Sequence, residues 1–219
     1  MILNIKAETE YKEGYYNVTH TVTENETGNE IAVATNYVND YFKLHFNGKT
    51  YEFRNHPKFV KRSLVKFKYP FSTKWKRTIG FGIHCDGKDI GDFYGDAMRC
   101  KEKGAKKNIG VTVFQHDSKA YLLFKVGLKG HDSHYYCIYN EHGDLIAIIA
   151  RHSKGDYRAT LYIENEDDLL ITLFAYTEEI VCVGQKTDPS AGGYISVMKE
   201  EVELFDDGFI NKVKEKEIE

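Results

Sequence analysis

The stretch Asp167–Gly184 reads "DDLLITLFAYTEEIVCVG" and differs from the rest of the chain in its pattern of apolar residues. From Leu169 to Tyr176 only Thr172 interrupts the apolar run, which alternates too poorly for a half-buried strand. Arranged as a helix, the run places apolar side chains on every face. Such a pattern is typical of a helix that is surrounded by protein on all sides.

The residues just before this run favour the start of a helix. Asn165 is a good N-cap, because its side chain can accept a hydrogen bond from a backbone N–H of the first turn. Three acidic residues follow at 166–168 and place negative charge at the positive end of the helix dipole. The sequence therefore predicts a buried hydrophobic helix near Asp167–Glu179.

The chain before the helix reads as a series of short strands. Aromatic residues make up 14% of the chain and Pro occurs only 3 times, which suits a sheet-rich fold. Asn47-Gly48, between the aromatic-rich runs "YFKLHF" and "KTYEFR", predicts a hairpin with a type I′ turn. About twelve such strands with meander-type turns predict a mainly β fold, a closed antiparallel barrel that encloses the helix, and not a βαβ fold.

The two parts of the chain differ in composition. We expect residues 1–184 to form the barrel domain with its central helix. Residues 185–219 contain the loop-like run "DPSAGGY" and a charged ending, in which acidic residues outnumber lysines. We expect this second part to be a loop and charged tail that packs on the barrel as an added element.

The beginning of the chain, "MILNIKAETEYKEGYY", lacks the basic start and long apolar stretch of a secretory signal. The apolar run in the helix is far shorter than the roughly 20 residues that span a bilayer. The four cysteines, at 85, 100, 137 and 182, include no CxxC pair, so we interpret them as reduced thiols. These features predict a cytoplasmic protein. Any association with a membrane is expected to be peripheral.

The segment "HYYCIYNEHGDLIAIIARHSKGDYRATLYIENEDDLLITLFAYTEEI", residues 134–180, resembles the tubby C-terminal domain and the related LURP-one and phospholipid scramblase proteins. The shared plan is a hairpin with an Asp/Asn–Gly turn, a strand, an acidic cap and a hydrophobic helix. The resemblance covers about Gly80–Val183. It implies a twelve-stranded barrel around a central helix and binding of phosphoinositides. In that family the helix usually lies near the chain end, whereas here residues 185–219 follow it.

The charge distribution contains one pronounced anomaly. From Phe53 to Cys85 there is no Asp or Glu, whereas Lys and Arg are frequent and are interleaved with aromatic residues. A second basic run, "RCKEKGAKK", covers residues 99–107. We select as candidate lipid-binding residues Lys58, Lys61, Arg62, Lys66, Lys68, Lys74, Lys76 and Arg77.

Three interpretations of this basic segment compete. It could bind anionic phospholipid headgroups, since each Lys or Arg near an anionic membrane contributes about 1 kcal/mol. It could bind single-stranded nucleic acid through stacking and phosphate contacts, but the near-neutral net charge of -3 counts against a nucleic-acid partner. Alternatively, the segment pairs with the acidic tail or simply faces solvent.

Motifs for catalysis are missing from the sequence. It contains no nucleophile elbow, phosphate-binding loop, dinucleotide fingerprint or zinc-protease motif. His131 and His134 in "GHDSH" could hold a metal only on a tight turn, and His84-Cys85 would point apart on a strand. We therefore predict no metal or cofactor and a non-enzymatic binding or scaffold protein, with anionic lipid or a protein as partner. The alternative is a small-ligand carrier or enzyme that uses a pocket at the barrel mouth.

Overall fold

A computed structural model describes most of the chain. The described residues are 1–12, 15–37, 41–54, 58–61, 77–99, 108–116, 119–127, 134–153, 156–162, 165–184, 197–198, 206, 208, 209 and 211. Fourteen strands and one long helix lie in these ranges. The strands are β1 (Ile2–Lys12), β2 (Tyr15–Glu24), β3 (Glu30–Tyr37), β4 (Tyr41–Phe46), β5 (Lys49–Arg54), β6 (Lys58–Lys61), β7 (Arg77–Cys85), β8 (Lys88–Arg99), β9 (Asn108–His116), β10 (Lys119–Gly127), β11 (His134–Tyr139), β12 (Leu145–Ser153), β13 (Asp156–Leu161) and β14 (Val197–Met198). The helix α1 is Glu166–Gly184.

Twelve of the strands form a closed antiparallel barrel. Their order around the barrel is β11-β12-β13-β1-β2-β3-β4-β5-β7-β8-β9-β10, and β10 pairs with β11 to complete the ring. The predicted fold class is confirmed. Two short strands lie outside the ring: β6 pairs with β7, and β14 pairs in parallel with β10.

Tight turns connect several of the antiparallel neighbours. Asn47 and Gly48, between β4 and β5, have φ angles of 48° and 71°, so the predicted hairpin is confirmed. Asp86 and Gly87 repeat the same geometry between β7 and β8, with φ angles of 48° and 80°. Positive φ at both central residues matches the right-handed twist of the flanking strands.

The helix begins where the sequence places its N-cap. The backbone N–H of Asp168 donates to Asn165 Oδ1 at 2.9 Å, and Asn165 Nδ2 donates to the Asp168 carboxylate at 2.6 Å. Leu170–Tyr176 are all less than 5% exposed, so this part of the helix is buried on every face. The prediction of a helix without a solvent-exposed face is confirmed for this part. The helix α1 continues beyond the predicted end to Gly184.

Contacts with strands on all sides place α1 on the barrel axis. The ring of Phe174 meets Tyr51 of β5 edge-on, with ring centroids 5.5 Å apart, and lies 6.3 Å from His116 of β9. The ring of Tyr176 lies 5.1 Å from that of Tyr157 of β13, and its hydroxyl bonds to β2. The helix therefore fills the interior of the barrel at the level of Phe174 and Tyr176.

The inner faces of the strands supply the rest of the core. Phe81, Phe93 and Phe114, which are register partners on β7, β8 and β9, form a ladder of stacked rings 5.2 and 5.7 Å apart. Beside this ladder Gly91 has no room for a side chain. A Cβ atom there would lie 2.2 Å from the carbonyl oxygen of Gln115, so β8 and β9 approach more closely than a larger residue would allow.

The barrel has two distinct ends. At the end where α1 begins, called the cap end, the strands are joined by the turns 25–29, 47–48, 86–87 and 140–144. At the other end, called the exit end, α1 finishes at Gly184. The connections of β6 to β7, of β8 to β9 and of β10 to β11 start and finish at this exit end.

Candidate binding surface at the exit end of the barrel

One of the predicted lipid-binding residues lies in a small ionic cluster on the outer wall. Lys58 Nζ is 2.9 Å from Asp92 Oδ1 and 3.7 Å from Asp89 Oδ2. His84 Nδ1 lies 2.7 Å from the other oxygen of Asp89. The Lys58 side chain is 39% exposed and has two carboxylates beside it. It is therefore already neutralised and contributes less to an anion site than an unpaired lysine would.

The absence of a side chain at Gly82 makes room for this cluster. A Cβ atom at Gly82 would lie 2.8 Å from Lys58 Nζ and 3.0 Å from His84 Nε2. The carboxylate partners of Lys58 are more than 30 positions away along the chain, and neither was identified from the sequence. An opposite charge at a distant register position gives no local signal, so only the pairing of β6 and β8 with β7 brings the partners together.

Two further candidate residues face each other across a strand pair. Lys61 is the register partner of Arg77 at the exit-end limit of β6 and β7. Like charges directly opposite each other in antiparallel strands are destabilising unless a counter-charge lies between them. The backbone register therefore places two cationic residues opposite each other at the exit-end limit of this strand pair.

The remaining candidate residues, Arg62, Lys66, Lys68, Lys74 and Lys76, lie outside the described residues. Their segment, residues 62–76, leaves β6 and rejoins β7 at the exit end. It carries five Lys or Arg and no Asp or Glu. The neighbouring connection, residues 100–107, joins β8 to β9 at the same end and carries four Lys and one Glu.

The cap end has the opposite charge. The turns 25–29, 86–87 and 140–144 contain Asp or Glu and no Lys or Arg. The segment 162–168, which leads from β13 into α1, contains four acidic residues and no basic one. Lys119 at the start of β10 lies in an ion pair with Asp167. The topology thus sorts charges that are scattered along the sequence into an acidic cap end and a basic exit end.

Exposed aromatic side chains also lie toward the exit end. Among the described residues, the large hydrophobic side chains with high exposure are Tyr11, at 64%, and Phe59, at 78%. Tyr11 is next to last in β1, and Phe59 lies in β6 beside the Lys61–Arg77 pair. Strand β1 and strand β7, with which β6 pairs, stand on different sides of the ring, so the two aromatic residues flank the opening where α1 finishes.

The polar side chain of His20 in the interior bears on the alternative prediction of a small-ligand pocket in the barrel. His20 on β2 is 3% exposed, and its Nδ1 lies 2.5 Å from the Tyr176 hydroxyl. Its Nε2 is buried and makes no hydrogen bond with the described residues. Burial lowers the pKa of His20 to about 4, so the imidazole is neutral near pH 7. This pair ties the helix to the barrel wall.

The predicted catalytic and metal candidates do not form a reactive site within the described part. His84 faces the outer ionic cluster, whereas Cys85 packs against the core, as expected for neighbours on a strand. Burial and the nearby Asp86 carboxylate raise the pKa of the Cys85 thiol, which disfavours a nucleophilic thiolate. The described residues contain no group of three His, Cys, Asp or Glu arranged to hold a metal ion. His131 lies outside these residues.

Cys85 is a free thiol and Cys137 is buried, and Cys100 lies outside the described residues. No helix within the described ranges is both long and apolar enough to cross a membrane. Comparisons with protein-family models, curated proteins and solved structures find no match.

Proposed function

We propose that this chain is a non-enzymatic binding protein whose exit end recognises anionic phospholipid headgroups. The observation that carries the proposal is the separation of charge between the two ends of a barrel that its own helix fills. Leu170–Tyr176 occupy the barrel axis, which leaves the outside as the place for a ligand of any size. Of the outer surfaces, the exit end combines excess positive charge with exposed aromatic residues.

Electrostatics favour one orientation on a membrane. A molecule with a basic end and an acidic end turns its basic end toward a negatively charged surface, because both ends favour this orientation. Lys61 and Arg77, as register partners, lie at the rim that would meet the headgroups first.

The exposed aromatic residues support a membrane rather than a nucleic-acid partner. Tyr11 and Phe59 flank the opening on separate sides of the ring instead of lining one groove. Stacking on bases requires aromatic side chains that follow a strand of nucleic acid. A planar membrane interface accepts aromatic side chains at separate positions around a rim.

The proposal is tested by liposome sedimentation with two charge-reversal variants that change the net charge equally. One variant carries Lys61→Glu and Arg62→Glu at the exit end. The other carries Lys49→Glu and Lys88→Glu at exposed positions of the cap end. On vesicles that contain phosphatidylinositol phosphates, we expect the exit-end variant to bind at least about tenfold more weakly than the wild type, at about 1 kcal/mol for each charge removed. The cap-end variant is expected to bind no more weakly than the wild type.

Equal binding of the two variants, or the absence of binding by the wild type, would rule the lipid proposal out. Single-stranded oligonucleotides that displace the protein from vesicles, with an affinity that falls steeply with salt, would favour the nucleic-acid alternative.

A further inference from the structure

The exit end differs from the rest of the barrel in the exposure of its inward-facing side chains. Successive residues of a strand face opposite sides, and Leu3 and Ile5 of β1 belong to the buried core. The odd-numbered positions of β1 therefore face inward, and its pairing with β2 has no register shift. Further toward the exit end, Ala7 is half-buried, and Thr9 and Tyr11 are exposed. Along β1 the interior thus opens to solvent at the exit end.

The wall formed by β6 and β7, nearly opposite β1 in the ring, shows the same gradient. Ile83 of β7 is buried in the core, and Phe81, the next inward-facing residue toward the exit end, is half-buried. Lys58 of β6 faces outward, because it belongs to the ionic cluster on the outer wall. Its neighbour Phe59 therefore faces inward. Phe59 is nevertheless 78% exposed, so it faces the opening of the barrel rather than the core.

The buried pair of His20 and Tyr176 forms the floor of this opening. Both residues are at most 3% exposed. Val18, the next inward-facing residue of β2 toward the exit end, is already half-buried. The backbone of α1 continues past this floor through residues 177–184. We call the part of the exit end above the floor the exit cup, lined on the strands by Ala7, Tyr11, Val18 and Phe59.

The exit cup combines an apolar lining with a basic rim. Lys61 and Arg77 are register partners two positions beyond Phe59 and its partner on β7. The basic connections 62–76 and 100–107 start and finish at the same end. The side chains of Ala7, Val18 and Phe59 offer no hydrogen bond, so a polar ligand would lose its bonds to water without replacement there. The combination fits an amphiphile with an apolar tail and an anionic head.

We propose that the exit cup takes the acyl chain of an anionic lipid while the headgroup stays at the basic rim. This inference rests on the proposed function and adds that the protein binds a single lipid molecule, tail included, and not only the surface of a bilayer. The cup lies beyond the part of the barrel that Leu170–Tyr176 fill. The tail would cover the exposed rings of Tyr11 and Phe59, and this burial of apolar surface drives its binding.

The test is isothermal titration calorimetry of the full chain with decanoyl lysophosphatidic acid, kept monomeric and without any bilayer. An aromatic residue that only dips into a membrane interface gives no binding under these conditions. We expect the wild type to bind, and Phe59→Ser to bind at least about tenfold more weakly. The matched control is Phe59→Leu, which keeps an apolar side chain and should bind within about threefold of the wild type. Each methylene added to the acyl chain should tighten wild-type binding about fourfold until the chain reaches the floor.

Glycerol phosphate, the same headgroup without its tail, should bind at least about tenfold more weakly than the lysophosphatidic acid. Because Phe59 is exposed, its replacement should leave the fold intact, and Tyr11→Ser takes its place if Phe59→Ser does not fold. Unchanged binding by the folded serine variant would overturn the proposal, and equal binding of a choline-headed lysophospholipid would overturn the choice of an anionic lipid.

The failure of the cup is distinguishable from the failure of the proposed function. A wild type that sediments with phosphatidylinositol phosphate vesicles but does not bind the monomeric lipid would overturn the exit cup and leave the headgroup proposal in place. A wild type that binds the monomeric lipid but does not sediment with vesicles would support the cup and contradict the headgroup proposal.

Discussion

At the scale of single residues, His20 shows how the barrel accommodates a polar side chain beside its helix. The ring of His20 meets that of Tyr176 edge-on at 5.4 Å and lies 6.3 Å from that of Phe42. One ring nitrogen bonds to the Tyr176 hydroxyl, and a charged imidazole would have to be desolvated at this position. The structure therefore favours neutral His20, whose pKa is lowered to about 4 by burial.

This lowered pKa predicts a loss of stability in mild acid. Between pH 6.5 and about 4, the unfolded chain takes up a proton at His20 while the folded chain does not. The free energy of unfolding therefore falls as the pH decreases through this window, and His20 contributes at most about 3 kcal/mol to that loss. Above pH 6.5 the protonation of His20 does not affect the free energy of unfolding. Urea titrations of the wild type and His20→Gln from pH 7 to 4 measure the effect. Parallel pH dependence in the two proteins would contradict it.

At the scale of secondary-structure elements, α1 and the barrel wall depend on each other. The wall supplies rings from β5, β9 and β13 that close around Phe174 and Tyr176. The helix in turn supplies the apolar surface that the inward residues need. Each large apolar side chain buried in this way contributes roughly 1.5–3 kcal/mol. Removal of the helix would leave a wide barrel with an unfilled interior.

A charge on the axis of the helix should therefore unfold the whole domain. Leu173 is 1% exposed, and Leu173→Asp would bury a carboxylate among apolar side chains. We expect a loss of at least about 4 kcal/mol, observed as the disappearance of a cooperative thermal transition in circular dichroism. The control is Thr9→Asp at an exposed position of β1, which should melt close to the wild type. A folded Leu173→Asp variant would mean that the helix is peripheral.

Elements with local signals could be predicted from the sequence. Asn47-Gly48 fixes its hairpin through its own backbone preferences, and Asn165 caps the helix through a bond to a residue three positions away. The apolar run at 169–176 could be assigned to the barrel axis because no surface helix tolerates apolar residues on every face. In each case the deciding interaction lies within a few residues.

Elements without local signals could not be predicted. β14 has two residues and exists only because β10 offers a free edge there. β6 takes its place from a pairing with β7 some 20 positions further along the chain. The second buried face of β11 and β12 did have a signal, because the run "LIAIIA" at 145–150 does not alternate as a one-sided strand does. That signal shows two-sided burial but not what covers the outer face.

At the scale of the whole molecule, the topology creates a polarity that the net charge of -3 conceals. Strands that alternate in direction bring the acidic turns and the acidic helix start together at the cap end. The basic connections 62–76 and 100–107 both start and finish at the exit end. Fields of this kind orient a protein on a charged surface even when its total charge opposes binding.

The chain carries its own reporter for this orientation. Trp75 is the only tryptophan, and it lies two positions before Arg77, the first residue of β7 at the exit end.

Quenching of Trp75 fluorescence by anionic vesicles with brominated acyl chains is the most direct measurement. We predict strong quenching at low salt that is reversed as added salt screens the charges of the exit end. Vesicles that bind the protein without quenching Trp75, or that fail to bind it at low salt, would contradict the proposed orientation and function of the basic exit end.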